Sequence, residues 1–247
     1  MDIDDERDGV LGTTFDLTLL ANFVHQVVNP LNGVAGTLDN LATGAIKEEN
    51  RRIQRLNAAR AQIEQCITLM RNLAFLAQGS GGVAEHDQRQ VVLPQVIIES
   101  AMIFQEDGKS KRIEISLDDR KTQNRVTGHP ELIRQVLMNI FDNCIKYGKR
   151  GSIVSVSQRV RHDEPTAVIQ VTGESENPIS ANDLTHIFDL GFRGRNAKDV
   201  VASGTGLGMY ICKQIVEKTH GGTIHVQSKG QYGLEFTIKL PHAERGK

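Results

Sequence analysis

The sequence predicts an α+β chain in two parts. An antiparallel helical hairpin pairs with a second copy into a dimeric four-helix bundle, and an α/β sandwich follows. Three observations carry this reading. Apolar residues recur every three or four positions through two long early segments. A GSGG break at 79–82 separates them from the rest of the chain. Beyond the break, alternating β-rich runs are interleaved with amphipathic helical ones.

The first helix carries Leu20, Phe23, Val27, Leu31, Val34, Leu38 and Leu41 on one stripe and stops near 42–44. The second carries Ile53, Leu56, Ile63, Ile67, Met70, Leu73 and Leu76. Two helices enclose little core by themselves, so a homodimer is expected. After the break, 93–104 reads as a helix and 113–117 as a strand. Residues 129–148 read as a helix with Pro130 in its first turn, where the missing N–H costs nothing. Strands follow at 152–160 and 166–173, and a short helix at 183–188. Residues 189–205 are rich in Gly, Arg and Asn and read as a mobile loop. A helix at 207–220 ends at Gly221–Gly222, and a hairpin of strands 223–229 and 233–240 closes the chain. The domains are therefore an acidic tail (1–13), the hairpin (14–80), a linker (81–91), the sandwich (92–242) and a short tail (243–247).

Totals narrow the function. Of 247 residues, 39% are hydrophobic and 24% charged, which suffices for a packed core. Aromatics are only 4%, so that core rests on Leu, Ile and Val. Net charge is −1 with no basic cluster, which argues against nucleic acid and against a polybasic membrane anchor. No apolar run reaches the roughly 18–20 residues a bilayer span needs, so no membrane segment is expected. The acidic start is unlike a signal peptide, and Cys66, Cys144 and Cys212 form no CxxC. Reduced core thiols and a cytoplasmic location are the expectation.

Three sites carry candidate chemistry. On the first helix His25 lies roughly 145° from the centre of the apolar stripe and so faces solvent. Pro30, five residues on, removes a backbone hydrogen bond and should bend the helix there. A lone exposed His is most often idle; one beside a forced kink is a more specific signal. The second site is 203–224, where Gly204, Gly206 and Gly208 precede a helix. Such glycines let backbone N–H groups approach phosphate oxygens. The third is 139–147. Val136, Leu137, Ile140, Phe141 and Cys144 make one helix face; Asn139, Asp142, Asn143 and Lys146 make the opposite one. An ordinary solvated face is one reading of the polar side. The other has the Asn143 amide oxygen helping to hold Mg2+ while Lys146 meets a phosphate.

In order and spacing these segments resemble the catalytic core of sensor histidine kinases over about residues 15–240. Residues 21–34 (ANFVHQVVNPLNGV) are similar to the phosphoacceptor box, and 129–148 to the asparagine box. Residues 187–194 (IFDLGFRG) resemble the phenylalanine box, and 204–228 the second glycine box. The resemblance implies a histidine-phosphotransfer hairpin joined to a Bergerat-type ATP-binding domain. The implied function is autophosphorylation of His25 by Mg-ATP and transfer to an aspartate on a response-regulator receiver domain, with phosphatase activity through Asn29. It further implies nucleotide contacts from Asn139, Lys146, Tyr147, Gly204, Thr205, Gly206, Leu207 and Gly208, Mg2+ on Asn143, and Arg193 in an ATP lid. Two departures stand out. Gln26 occupies a position usually held by Glu or Asp, and an amide cannot accept the imidazole proton. The adenine-contacting box, an Asp followed by alternating glycines, should fall near 171–180, where this chain has Gly173, Glu174 and Ser175. Glu174 is then the candidate acceptor for the adenine amino group. Two alternatives stay open: a phosphotransfer or scaffold protein that relays phosphate without ATP, and an ATPase or serine kinase that shares only the ATP fold.

Overall fold

The computed structural model describes residues 17–78, 88–161, 165–194 and 205–242. Helices α1 (Leu17–Ala42) and α2 (Glu49–Gln78) pack as the hairpin, joined through Gly44 with φ of +70°. Helix α1 continues through Pro30. The single stripes read from the sequence divide in two. Phe23 and Val34 of α1, and Ala59, Cys66 and Phe75 of α2, are buried within the protein. Val24, Val28, Leu31 and Leu38, with Ile53, Leu56, Ile63 and Met70, stay exposed. In α2, Leu56, Ile63 and Met70 recur every seventh residue, a seam distinct from the row of buried Ala59 and Cys66 and half-buried Leu73.

Beyond the hairpin, β1 (Arg89–Val92) pairs antiparallel with β3 (Arg125–Gly128) in a small sheet. These four-residue strands have too little alternation to announce themselves, and β1 begins inside the segment read as linker. A five-stranded sheet follows, ordered β2 (Glu114–Leu117), β4 (Ile153–Arg161), β5 (Thr166–Glu174), β7 (Gly233–Pro241), β6 (Thr223–Lys229). Only β2 against β4 is parallel. The helical layer comprises α3 (Leu93–Ile103), α5 (Pro130–Tyr147) and α7 (from Gly208), with α4 (Gln105–Lys111) and α6 (Ala181–His186) beside it. Between helices and sheet lie Leu137, Ile140, Phe141, Ile169, Val171, Ile211, Ile215 and Ile238, all almost fully buried. Each such side chain stabilises the fold by about 1.5–3 kcal/mol over its exposed state.

Helix α5 is the central element. His129 enters it in extended conformation and Pro130 opens it. It stops at Gly148, where a Cβ would sit 2.0 Å from the Cys144 carbonyl. Helix α7 is α-helical over Gly208–Lys213 and widens to π-helical over Gln214–Thr219. The expected single helix thus has the expected extent but two registers. His220 N–H reaches the Ile215 carbonyl, five residues back, at 3.2 Å. Among the described residues, no helix is long and apolar enough to cross a membrane.

Candidate nucleotide site between the sandwich and the hairpin

One cavity of 220 Å³ joins the two halves of the chain. Gln26, Gln65 and Asn72 of the hairpin line it together with Asn139, Asn143, Lys146 and Tyr147 of α5. Thr205, Gly206 and Gly208 close it at the start of α7. Most of the residues that the sequence singled out therefore converge. His25 is exposed on α1, next in sequence to the cavity-lining Gln26, and Asn29 is exposed one turn further on. Leu207 is fully buried and anchors the glycine segment rather than facing the cavity. Gly204 lies outside the described residues.

The polar face of α5 is not a solvated one. Asn143 is half-buried and lines the cavity, and its side-chain amide makes no hydrogen bond among the described residues. An amide oxygen lining a cavity that also holds the glycine segment would suit Mg2+, which takes one or two protein oxygens and keeps water and phosphate as its other ligands. Lys146 is paired with Asp142 at 2.6 Å, so an incoming phosphate meets an ammonium whose charge is already shared. Asp107 of α4 faces the same pair; burial first, and the Asp142 carboxylate second, push its carboxyl above the usual range.

Asn139 is buried in an amide cluster that the sequence reading missed. Its Oδ1 accepts from Asn72 Nδ2 at 3.2 Å, and its Nδ2 donates to the Gly208 carbonyl at 3.2 Å. Asn72 Oδ1 also accepts from Gln135 Nε2 at 2.6 Å. The signal was present, because Asn72 falls one turn from both Leu69 and Leu76 on α2, which pack against the core, and a polar residue there is costly unless partnered.

The glycines are required by geometry. Gly206 has φ of +67°, and a Cβ there would come within 2.7 Å of the backbone of Gly191 and Phe192. That contact locks the start of α7 against the phenylalanine-box segment, which carries Arg193 into the cavity lining. Leu207 N–H donates to Thr205 Oγ1 at 3.3 Å, so this hydroxyl already caps the turn.

Glu174 lines the cavity at the end of β5. Its carboxylate is more than half exposed and pairs with Lys149 Nζ at 3.0 Å. The neighbouring Gly173 faces inward instead, its absent Cβ lying 3.8 Å from Cys144 Sγ on α5. Strand alternation sets this: Ala167, Ile169 and Val171 of β5 face the helical layer, and residue 173 shares their side of the strand.

Comparison with known proteins agrees with this architecture. Residues 128–244 match the family model described as histidine kinase-, DNA gyrase B-, and HSP90-like ATPase. The sensor protein KdpD of Clostridium acetobutylicum is 28% identical over 90% of this chain, which spans about a quarter (24%) of that relative's length. Among solved structures, the Acinetobacter baumannii histidine kinase AdeS superposes with a TM-score of 0.57 at 20% identity, covering 89% of this chain and 98% of that one. The histidine kinase ThkA, in its complex with the response regulator protein TrrA, gives 0.55 at 18% identity, covering 92% of this chain and 61% of that one. Residues 128–244 thus carry an ATPase domain of this type. Over nearly its whole length the chain is similar in sequence to sensor kinases and in fold to histidine kinase structures.

Proposed function

We propose that this chain uses Mg-ATP to phosphorylate His25 and passes the phosphoryl group to an aspartate of a response-regulator receiver domain. The supporting observation is the shared cavity: Gln26, adjoining His25, and the asparagine-box residues of α5 line the same space.

In this reading Asn143 holds Mg2+, which when bound neutralises phosphate charge. Backbone N–H groups around Gly206 and Gly208 receive phosphate oxygens at the start of α7. His25 supplies the lone pair that forms the N–P bond as the bond from the γ-phosphorus to the bridging oxygen breaks, and ADP leaves. The imidazole proton departs to solvent, because Gln26 cannot accept it. His25 is exposed on α1, so a receiver aspartate can reach the phosphohistidine afterwards; Asn29, on the same exposed stretch, would orient water for hydrolysis of the phosphorylated regulator. The exposed seams of α1 and α2 support a homodimer through a four-helix bundle.

Incubating the protein with labelled ATP and Mg2+ tests the proposal. Acid-labile label on the wild type, absent from His25→Ala, is expected. No label on the wild type, together with uptake from a phosphorylated receiver domain, would replace the kinase with a relay.

A further inference from the structure

The cavity floor between β5 and α5 bears on which nucleotides the site accepts, an inference that rests on the nucleotide reading above. Gly173 is the strand residue directed at α5, and it presents no side chain. Across from it stands the Cys144 thiol, which burial and then the Asp142 charge push up to about 12, so it stays a neutral S–H. None of the acids that line the cavity stands at the inward strand position of Gly173. Asp142 is paired with Lys146, Asp107 faces that pair, Glu174 is held by Lys149, and the Asp183 carboxylate packs against Gly194. The Ser175 hydroxyl donates to the Asn177 and Tyr232 carbonyls. Met138, Ile179, Leu234 and Phe236 add apolar lining, and Asn177 adds a polar residue.

A site discriminates between ring substituents by placing a partner for one and a misfit for the other. A carboxylate at the inward strand position would accept from an exocyclic amino group and repel a keto oxygen. Glycine does neither, and a neutral thiol can donate weakly to a keto oxygen or accept weakly from an amine. We propose that Gly173 is a specificity-determining position, and that its glycine opens the site to purine nucleoside triphosphates whether the six-position bears an amino or a keto group. The phosphates and Mg2+ are then gripped by Asn143 and the glycine segment, while the base is held by shape alone.

Calorimetric titration of the whole chain with Mg-ATP and with Mg-GTP tests this. The two dissociation constants are expected to agree within about tenfold, and Gly173→Asp is expected to shift their ratio at least about tenfold toward ATP. The added Cβ meets only ordinary contacts, 3.5 Å to Val154 Cγ2 and 3.8 Å to Cys144 Sγ, and circular dichroism verifies the fold. Wild-type rejection of GTP by more than about a hundredfold overturns the inference and leaves the kinase reading standing. An unchanged ratio in folded Gly173→Asp overturns it as well. Should neither nucleotide bind the wild type, this inference and the kinase reading fall together. If the aspartate variant does not fold, the wild-type ratio alone decides.

Discussion

The hairpin and the sandwich bury their apolar residues in opposite ways. In the sandwich Leu137, Ile140 and Phe141 are sealed completely between helices and sheet. In the hairpin Leu38 is 52% exposed and Met70 49%, although both lie on regular apolar periods. The sandwich closes on itself, whereas the hairpin presents a second seam fit for another helix pair. Periodicity alone records how much apolar surface a helix offers; it does not record which part is covered by its own chain.

Substitutions should separate the two regions. The largest expected effect is in the sandwich: Leu137→Ala costs about 2–5 kcal/mol of unfolding free energy in chemical denaturation. Leu38→Ala should alter the stability of the isolated chain by no more than about 0.5 kcal/mol, while sedimentation shows weaker self-association. Equal loss of folding stability at both sites would erase the contrast. Next, Asn143→Ala should abolish Mg2+-dependent ATP binding in calorimetry with sedimentation unchanged, because it touches the cavity and neither core nor seam. Unaltered affinity would remove Asn143 from the site.

Acid provides a subtler probe of the sandwich. His220 lies under its floor, with Nε2 accepting from the His129 backbone N–H at 3.0 Å. Burial holds its pKa below the ordinary 6.5; the Ile215 carbonyl opposes that and the nearby His129 adds to it. The folded state therefore favours neutral imidazole. Its contribution is complete above about pH 6.5 and is lost as pH falls below that value, where the unfolded chain takes up more protons. Unfolding midpoints should drop below pH 6.5 in the wild type and drop less in His220→Gln. An equal acid response in both would assign the loss to other groups.

Smaller effects come last. Gln26→Glu should raise the rate of histidine labelling by supplying a proton acceptor at the hairpin edge of the cavity; an unchanged rate would mean that proton removal is not limiting. Cys144, with its thiol pushed up to about 12, should resist alkylation at pH 8 until the protein is denatured. Rapid native labelling would show the cavity floor to be open.

Long periodic elements were legible from the residues alone. Helices α1, α2 and α5 and the closing β6–β7 hairpin fall within a few residues of expectation because each repeats its pattern several times. Strands β1 and β3 did not, being four residues each and defined by a partner far along the chain. The π-helical end of α7 was likewise hidden, since the residue pattern of Gln214–Thr219 suits either register. At the site, the asparagine and glycine residues were legible through their resemblance to known motifs. Parity counted from Val171 sends Gly173 inward, a signal in β5 that the sequence reading did not use. Asn72 went unnoticed because its partners, Gln135 and Asn139, are more than sixty residues away.

That amide cluster has a mechanical consequence. Asn72, Gln135, Asn139 and the Gly208 carbonyl share four hydrogen bonds in a nearly dry seam between α2 and the ATPase domain. Any swing of the domain about the hairpin must break the three that reach Asn72 together, and each stranded group then demands a replacement. Water can supply it only once the seam has parted enough to admit it. The joint therefore behaves as a latch that opens by wetting, with a threshold, rather than as a hinge that yields by degrees.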